Sequence, residues 1–405
     1  MASTASIGRT ARRHRVAAVI VETLAACAGA VLILLAWLCD RDWLDRHVLP
    51  HMFLTRFEQT LWWVIERGLL AALGLALVFV VRPWLGRAIR QGRGRALAID
   101  GGLALLAVLA SGLTSELILR NIHWRKVDLW AAGEEPLRQA DAHRGWRNVP
   151  SRTGVATFDD RRIEYRIDAM GRRYGRRPVD PARPAILYTG ESIMFGFRLN
   201  WPETIAGRIE DLTGVQSANL AVNGYSTDQA YMPLAAQLPR FARPVAVVSI
   251  FVPSLLERNL DDDRPHIDSD LAWHPARPFW KLERLAKEVF PYRNPARIDG
   301  AIAMTREVLS ATVEAARARH AVPLILVPCF MPEQPSERAI RQRVLDAASL
   351  PYVLVPLDPH WHLPGDRHPD ARANQVMARA VIAGLLLRQP GLFQSNGSDS
   401  RAIGR

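Results

Sequence analysis

Three apolar stretches near the start of the chain constrain its fold more than any other feature. Residues 16–38 are apolar except for Glu22 and Thr23, long enough for a helix to cross a hydrocarbon core of about 30 Å. Such a solvent leaves no partner for an open backbone, so the segment has to be helical. Residues 61–81 and 97–119 repeat the pattern. Glu66 and Arg67 near the start of the second, and Asp100 and Glu116 towards the ends of the third, stand where they reach an interface. A cleavable signal peptide has an apolar run of about 7–15 residues and a small-residue cleavage site. The first run is longer and ends in Trp37, Leu38, Cys39 and Asp40. The competing arrangement is a helical hairpin with one buried soluble helix.

Charge placement orients the three segments. Arg9, Arg12, Arg13 and Arg15 precede the first, and Arg82, Arg87, Arg90, Arg93 and Arg95 join the second to the third. Basic flanks of this kind stay cytoplasmic. The loop 40–60 instead balances Arg41, Arg46 and Arg56 against Asp40, Asp42, Asp45 and Glu58. The expectation is a multi-pass protein with a cytoplasmic N-terminus and everything after Arg120 on the far side: in a bacterium, the inner membrane and the periplasm or exterior. The net charge of +12 is almost all arginine, lysine occurring only at Lys126, Lys281 and Lys287. It is spread beside apolar stretches rather than clustered with aromatics, which argues against nucleic acid as a partner. Cys27, Cys39 and Cys329 are the only cysteines, which excludes a disulfide framework and a zinc finger.

Beyond a polar connector at 121–184, short apolar runs alternate with helical ones. The runs are 185–188, 218–222, 245–252, 323–328 and 352–357; between and after them lie helical stretches at 202–212, 302–320, 337–348 and 371–387. Alternation of this kind predicts βαβ units: a three-layer α/β sandwich with a five-stranded, mainly parallel sheet, flavodoxin-like in plan, over residues 185–388. A polar tail at 389–405 with an Asn396 sequon is expected to be mobile. Together with the membrane anchor at 1–120, this gives four segments.

The first strand runs into Gly190, Glu191 and Ser192, so the serine stands at the carboxyl edge of the sheet, where ligands of open α/β sheets bind. The helix that follows aims free N–H groups at an anion forming near Ser192. The second strand leads through Asn219, Asn223 and Gly224 to Gln229, and Gly224 lets a backbone N–H approach the same point. Late in the chain, Asp366 and His368 precede the last helix: a base for the serine proton and an acid to orient it. Order and spacing resemble the SGNH/GDSL hydrolase superfamily, over roughly residues 141–387. Gly190-Glu-Ser192 resembles its first block, 219–229 its glycine block, and Asp366-Arg-His368 its last. The lead-in Arg144-Gly-Trp146 and residues 167–172 resemble what precedes the serine in membrane-anchored bacterial members. The resemblance implies Ser192 as nucleophile, His368 as base, Asp366 as its partner, and the Ser192 and Gly224 N–H groups as oxyanion donors, with Glu191, Asn223 and Ser254 beside them and no metal or organic cofactor.

Three positions depart from that pattern. Glu191 replaces the usual Asp. Ser254 stands where the third block supplies an oxyanion Asn, unless Asn259 is that residue displaced. The acid stands two residues before His368 instead of three, so Asp358 or Asp370 could substitute. Losing one oxyanion donor costs a factor of about 10²–10³ in rate. Two functions are therefore expected in competition: a serine esterase or acyl transferase on ester-linked acyl groups, O-acetyl groups of surface glycans in particular, or a catalytically reduced domain that binds glycan or assembles with polysaccharide machinery. A metal cluster of Asp358, His360, His362, Asp366 and His368 lacks a helical ligand spacing. Asp261, Asp262 and Asp263 read as a solvated loop, and 260–300, with Trp273, His274, Phe279, Trp280 and Tyr292, as a lid or specificity insert.

Overall fold

The computed structural model describes residues 2–52, 56–121, 137–158, 160–260, 262–277, 280–289 and 292–394. Residues 122–136 of the connector, Asp261, and the tail beyond 394 with its sequon lie outside the described residues. The chain divides into two compact units: one of 1–48, 54–123 and 280–292, the other of 49–53, 124–279 and 293–405.

The first unit holds α1 (Ala2–Leu38), α2 (Arg56–Ala76) and α3 (Gly94–Asn121). A π-helical turn, Leu77–Val81, carries α2 on into a helix at Arg82–Arg90. Three helical spans in this unit are long and apolar enough to cross a bilayer, which marks a membrane protein. Their apolar side chains point outward, among them Leu24, Leu69, Leu106 and Val108. Association of such helices rests on close backbone approach. A Cβ added at Gly29 or Gly74 would stand 2.7 Å from the other's carbonyl oxygen, so α1 and α2 touch at glycine. Arg67 Nε donates to the Ala36 carbonyl at 2.7 Å, and Arg90 pairs with Glu22 at 2.7 Å.

The second unit is built on five strands: β1 (Ala185–Tyr188), β2 (Gln216–Asn219), β3 (Pro244–Ile250), β4 (Val322–Cys329) and β5 (Tyr352–Pro356). The order is β2-β1-β3-β4-β5 with every pair parallel. Its helices are α4 (Ser192–Phe195), α5 (Ile205–Thr213), α6 (Thr227–Gln237), α7 (Pro295–Ala318) and α8 (Ala371–Arg388). Strand alternation splits the core. Ile186 and Tyr188 of β1 join Ile205, Ile209, Met377 and Val381 from α5 and α8 on one face, while Ala185 and Leu187 join Leu234 of α6 on the other. Parallel strands covered on both faces read as continuous apolar runs, which is why β1 and β4 stand out in the sequence.

Three elements differ from the sequence reading. The second strand, read as 218–222, lies at Gln216–Asn219. Asn219 Oδ1 accepts the Ala221 N–H at 3.1 Å, an Asx turn that ends the strand; Leu220, Ala221 and Val222 are apolar because the loop itself is buried. The helix read as 337–348 lies at Pro335–Arg341 and closes in a π turn, Gln342–Asp346. The described part of the connector forms two antiparallel hairpins, Arg138–Asp141 with Gly145–Asn148 and Thr153–Phe158 with Arg161–Arg166. Leu49 and Met52, from the loop between α1 and α2, are buried in core clusters of this unit.

Candidate active site

Gly190 closes β1. Its φ is +156°, and a Cβ there would lie 2.4 Å from Ile250 Cγ2, so only glycine lets the chain turn against β3. The turn delivers Ser192 as the first residue of α4, with Glu191 as N-cap. Asn219 Nδ2 donates to the Met194 carbonyl at 2.8 Å, tying the end of β2 to α4. The Val222 N–H donates to the Gly190 carbonyl at 3.2 Å, so the glycine block lies alongside the serine turn.

Ser192 Oγ is 2.8 Å from His368 Nε2, and His368 Nδ1 is 2.6 Å from Asp366 Oδ1. The His368 backbone N–H also donates to Asp366 Oδ1, at 3.0 Å, so a two-residue spacing suffices to seat the ring on the carboxylate. Burial alone would raise the Asp366 carboxyl. The hydrogen bond and charge of the His368 ring, its backbone N–H and the charge of Arg198 outweigh that and hold it down to about 2. Asp358 and Asp370 do not substitute: Asp358 accepts the His360 N–H, and Asp370 caps α8 through the Arg372 and Ala373 N–H groups. The ring of Phe197 packs on His368 at 4.8 Å between centroids. Relays of this geometry can remove a hydroxyl proton and return it to a leaving group.

Glu191 does more than replace an Asp. Its Oε2 lies 2.6 Å from Ser192 Oγ and accepts the Ile193 N–H at 3.1 Å, with Arg258 Nη1 at 3.8 Å. The serine hydroxyl therefore has two acceptors within reach and one hydrogen to give. The backbone N–H groups of Ser192 and Gly224 have no protein acceptor among the described residues, the state an oxyanion donor needs. Gly224 has φ +81°, and its loop is fixed from outside: Arg138 Nη1 and Trp146 Nε1 donate to the Asn223 carbonyl at 3.0 and 2.9 Å, and Arg264 Nη1 to the Gly224 carbonyl at 3.0 Å. Asn223 is buried, with an Oδ1 that has no partner.

The third block offers no amide. Ser254 is buried in the 3-10 helix Pro253–Leu260. Asn259 gives both its amide hydrogens away, to Thr305 Oγ1 at 2.6 Å and Thr227 Oγ1 at 3.2 Å, and accepts the Thr227 N–H at 2.9 Å. It joins three elements and is not a displaced oxyanion donor. Among the described residues no group of three or more His, Cys, Asp or Glu is placed to hold a metal ion. A cavity of about 140 Å³ lined in part by Arg144, Arg147, Met170 and Gln237 does not include the serine.

Four residues of the site were not singled out in the sequence. Arg198 Nη1 lies 3.3 Å from Asp366 Oδ2, and its guanidinium stacks 4.3 Å from the Phe158 ring. Arg258 stands behind Glu191. Arg173, fully buried, donates to the carbonyls of Phe195, Gly196 and Leu199 at 2.9, 2.7 and 2.6 Å, which holds the turn after α4. His51, from the loop between α1 and α2, is held below its ordinary range by burial and by the charges of Arg258 and Arg367. Arginines at these spacings look like any others in an Arg-rich chain; only the tertiary fold selects them.

No protein-family model matches the chain, and no curated protein matches it in sequence. Solved structures similar to it include TesA, at 16% identity over 50% of this chain and 97% of that one, TM-score 0.33. A putative lipolytic protein of the G-D-S-L family from Desulfitobacterium hafniense is similar at 12% identity over 49% and 98%, TM-score 0.31. The acetyl xylan esterase Est2A from Butyrivibrio proteoclasticus is similar at 9% identity over 52% and 65%, TM-score 0.33. Strand order, the serine turn at the carboxyl end of β1 and the Asp-x-His pair before the last helix are this chain's own, and by them its second unit has an SGNH hydrolase-like fold.

Proposed function

We propose that the protein is a membrane-anchored serine esterase or acyl transferase for ester-linked acyl groups, with Ser192 as nucleophile. The contact of Ser192 Oγ with His368 Nε2, itself seated on Asp366, carries this reading. His368 takes the serine proton as Oγ bonds to the ester carbonyl carbon. The oxyanion is met by the Ser192 and Gly224 N–H groups. As the intermediate collapses, the imidazolium gives its proton to the departing alkoxide, leaving an acyl-enzyme. Water attacking that ester passes its proton to His368, which returns it to Ser192 Oγ as the Oγ–acyl bond breaks, and the product is a free acid, as in an esterase; a sugar hydroxyl in its place gives a new ester, as in a transferase.

The orientation supports an extracytoplasmic site. Basic residues stand in the first turns of α1, before its apolar stretch, and at the junction of α2 and α3, and Leu49 and Met52 bring the loop between α1 and α2 into the core of the hydrolase unit. That loop and the hydrolase unit then share one side of the membrane, as three crossings require. O-acyl groups on envelope glycans are the esters such a site would meet. The test is hydrolysis of p-nitrophenyl acetate by the detergent-solubilised full chain: the wild type is expected to turn over and Ser192→Ala to be inert. Equal rates in the two would end the assignment of Ser192.

A further inference from the structure

The insert that follows β3 divides between the two units. A small hairpin, His266–Ile267 with Trp273–His274, belongs to the hydrolase unit, whereas residues 280–292 belong to the membrane unit. The latter contain a helix, Lys281–Val289. At nine residues it is too short to stand alone in water, where isolated helices below about 12–15 residues are marginal. Its first N–H groups are held instead from the membrane: Glu116 of α3 accepts the Lys281 and Leu282 N–H groups at 3.0 and 2.9 Å. Glu116 is 1% exposed and is paired with Arg120 one turn on, at 2.7 Å. The Arg120 guanidinium in turn lies 5.5 Å from the Trp280 ring. At the other end of the segment, Tyr292 stacks on Trp43 at 5.6 Å and on His47 at 5.5 Å, both in the short helix Arg41–His47 that follows α1. Both ends are thus fixed where α1 and α3 leave the membrane.

Leu282, Leu285 and Ala286 recur at i, i+3 and i+4, a single apolar stripe, with Lys281, Glu283, Arg284 and Lys287 elsewhere on the helix. Leu285 and Ala286 of the stripe are exposed, Leu285 by 42%, and the flanking Trp280 and Tyr292 are 54% and 52% exposed. The exposed apolar surface of α3 at Leu113 and Leu117 runs up to the same capped end. Short amphipathic helices with aromatic flanks lie in the interface, apolar side down, and Trp and Tyr favour headgroup depth.

We infer that the helix Lys281–Val289, with Trp280 and Tyr292 flanking it, is an interfacial helix whose apolar stripe lies in the acyl-chain boundary of the leaflet at the exit of α1 and α3, capped there by Glu116; its partner is the lipid bilayer. This holds whether or not Ser192 is reactive. Of the insert read in the sequence as 260–300, this part belongs to the membrane unit.

The test uses the full chain in phosphatidylcholine–phosphatidylglycerol vesicles, with Cys27, Cys39 and Cys329 replaced by Ser and one cysteine carrying a nitrobenzoxadiazole label. A label at Leu285→Cys is expected to be quenched by shallow doxyl lipids and shielded from iodide, while one at Glu283→Cys shows the reverse. Iodide reaching both labels equally would overturn the inference. So would a label at 285 shielded from both quenchers, which would mean that protein covers the stripe. Adding Glu116→Ala is expected to at least double iodide quenching at 285; no change would remove Glu116 as the cap. If that variant fails to insert, the pair of labels in the otherwise native chain still decides the placement.

Discussion

Replacing Glu191 by Gln tests the competition for the proton of Ser192. The hydroxyl has one hydrogen, and it lies 2.6 Å from Glu191 Oε2 and 2.8 Å from His368 Nε2. A hydrogen bond to a charged acceptor contributes about 1.5–3 kcal/mol and a neutral one about 0.5–1.5. Gln keeps an oxygen for the Ile193 N–H yet holds the serine less tightly, by about 1 kcal/mol on those figures. The Glu191 charge also attracts the imidazolium and repels the oxyanion. For unit charges about 4 Å apart at an effective dielectric of about 20 each term is about 4 kcal/mol, and because they oppose one another the hydrogen-bond term decides the sign. With about 1.4 kcal/mol per tenfold, Glu191→Gln is expected to raise kcat/KM roughly fivefold. Glu191→Asp, which withdraws the carboxylate by one methylene, should move it the same way. Initial rates of p-nitrophenyl acetate hydrolysis by the solubilised full chain measure both. A tenfold or greater fall in the Gln variant would refute the reasoning and make the carboxylate a working part of the relay.

The other expectations are simpler. Asp366→Asn deprives the His368 ring of its charged partner and should lower kcat by about 10⁴, read in the same assay. Because the Asp366 carboxyl is held down to about 2, its contribution to stability is present above about pH 4, the unfolded-chain value, and is lost as pH falls towards 2. The wild type should therefore lose more thermal stability than Asp366→Asn between pH 5 and 2.5, and parallel losses would count against the pairing. Arg173→Met removes the guanidinium from the Phe195, Gly196 and Leu199 carbonyls, of which Gly196 still accepts the Leu199 N–H, and should cost at least about 2 kcal/mol, at about 1–3 kcal/mol for each of the two others; a chemical denaturation midpoint equal to wild type would exclude it. Asn259→Leu removes both amide donors and the acceptor of the Thr227 N–H, so it should destabilise by about 1–3 kcal/mol, measured the same way.

What the sequence made legible was what is periodic or chemically singular. The apolar spans, the runs of β1, β3 and β4, and the Gly-x-Ser and Asp-x-His pairs each announce themselves within a few residues. Asn259 shows the limit: five residues after Ser254 in the same 3-10 helix, it could be imagined sliding into the oxyanion site, and only its bonds to Thr227 and Thr305 reveal that it is already committed. Arg173 and Arg198 were invisible because their function depends on which carbonyls and which carboxylate the fold brings to them. The insert's division between two units was hidden for a related reason. Its aromatic residues were legible as a surface feature, but the carboxylate that caps its helix stands 165 residues earlier in the chain.

Leu49 and Met52 have a consequence for how the protein is made. They fill positions in the α/β core, yet they are synthesised ahead of α2 and α3 and therefore before any strand of the sheet. The sheet therefore has to assemble around residues that leave the ribosome before it, and that first loop is part of folding the second unit. A fragment cut free after Arg120 would begin life with two vacancies in its interior, each a large-to-small loss of about 2–5 kcal/mol, and supplying the loop as a separate peptide should restore part of what the cut removes.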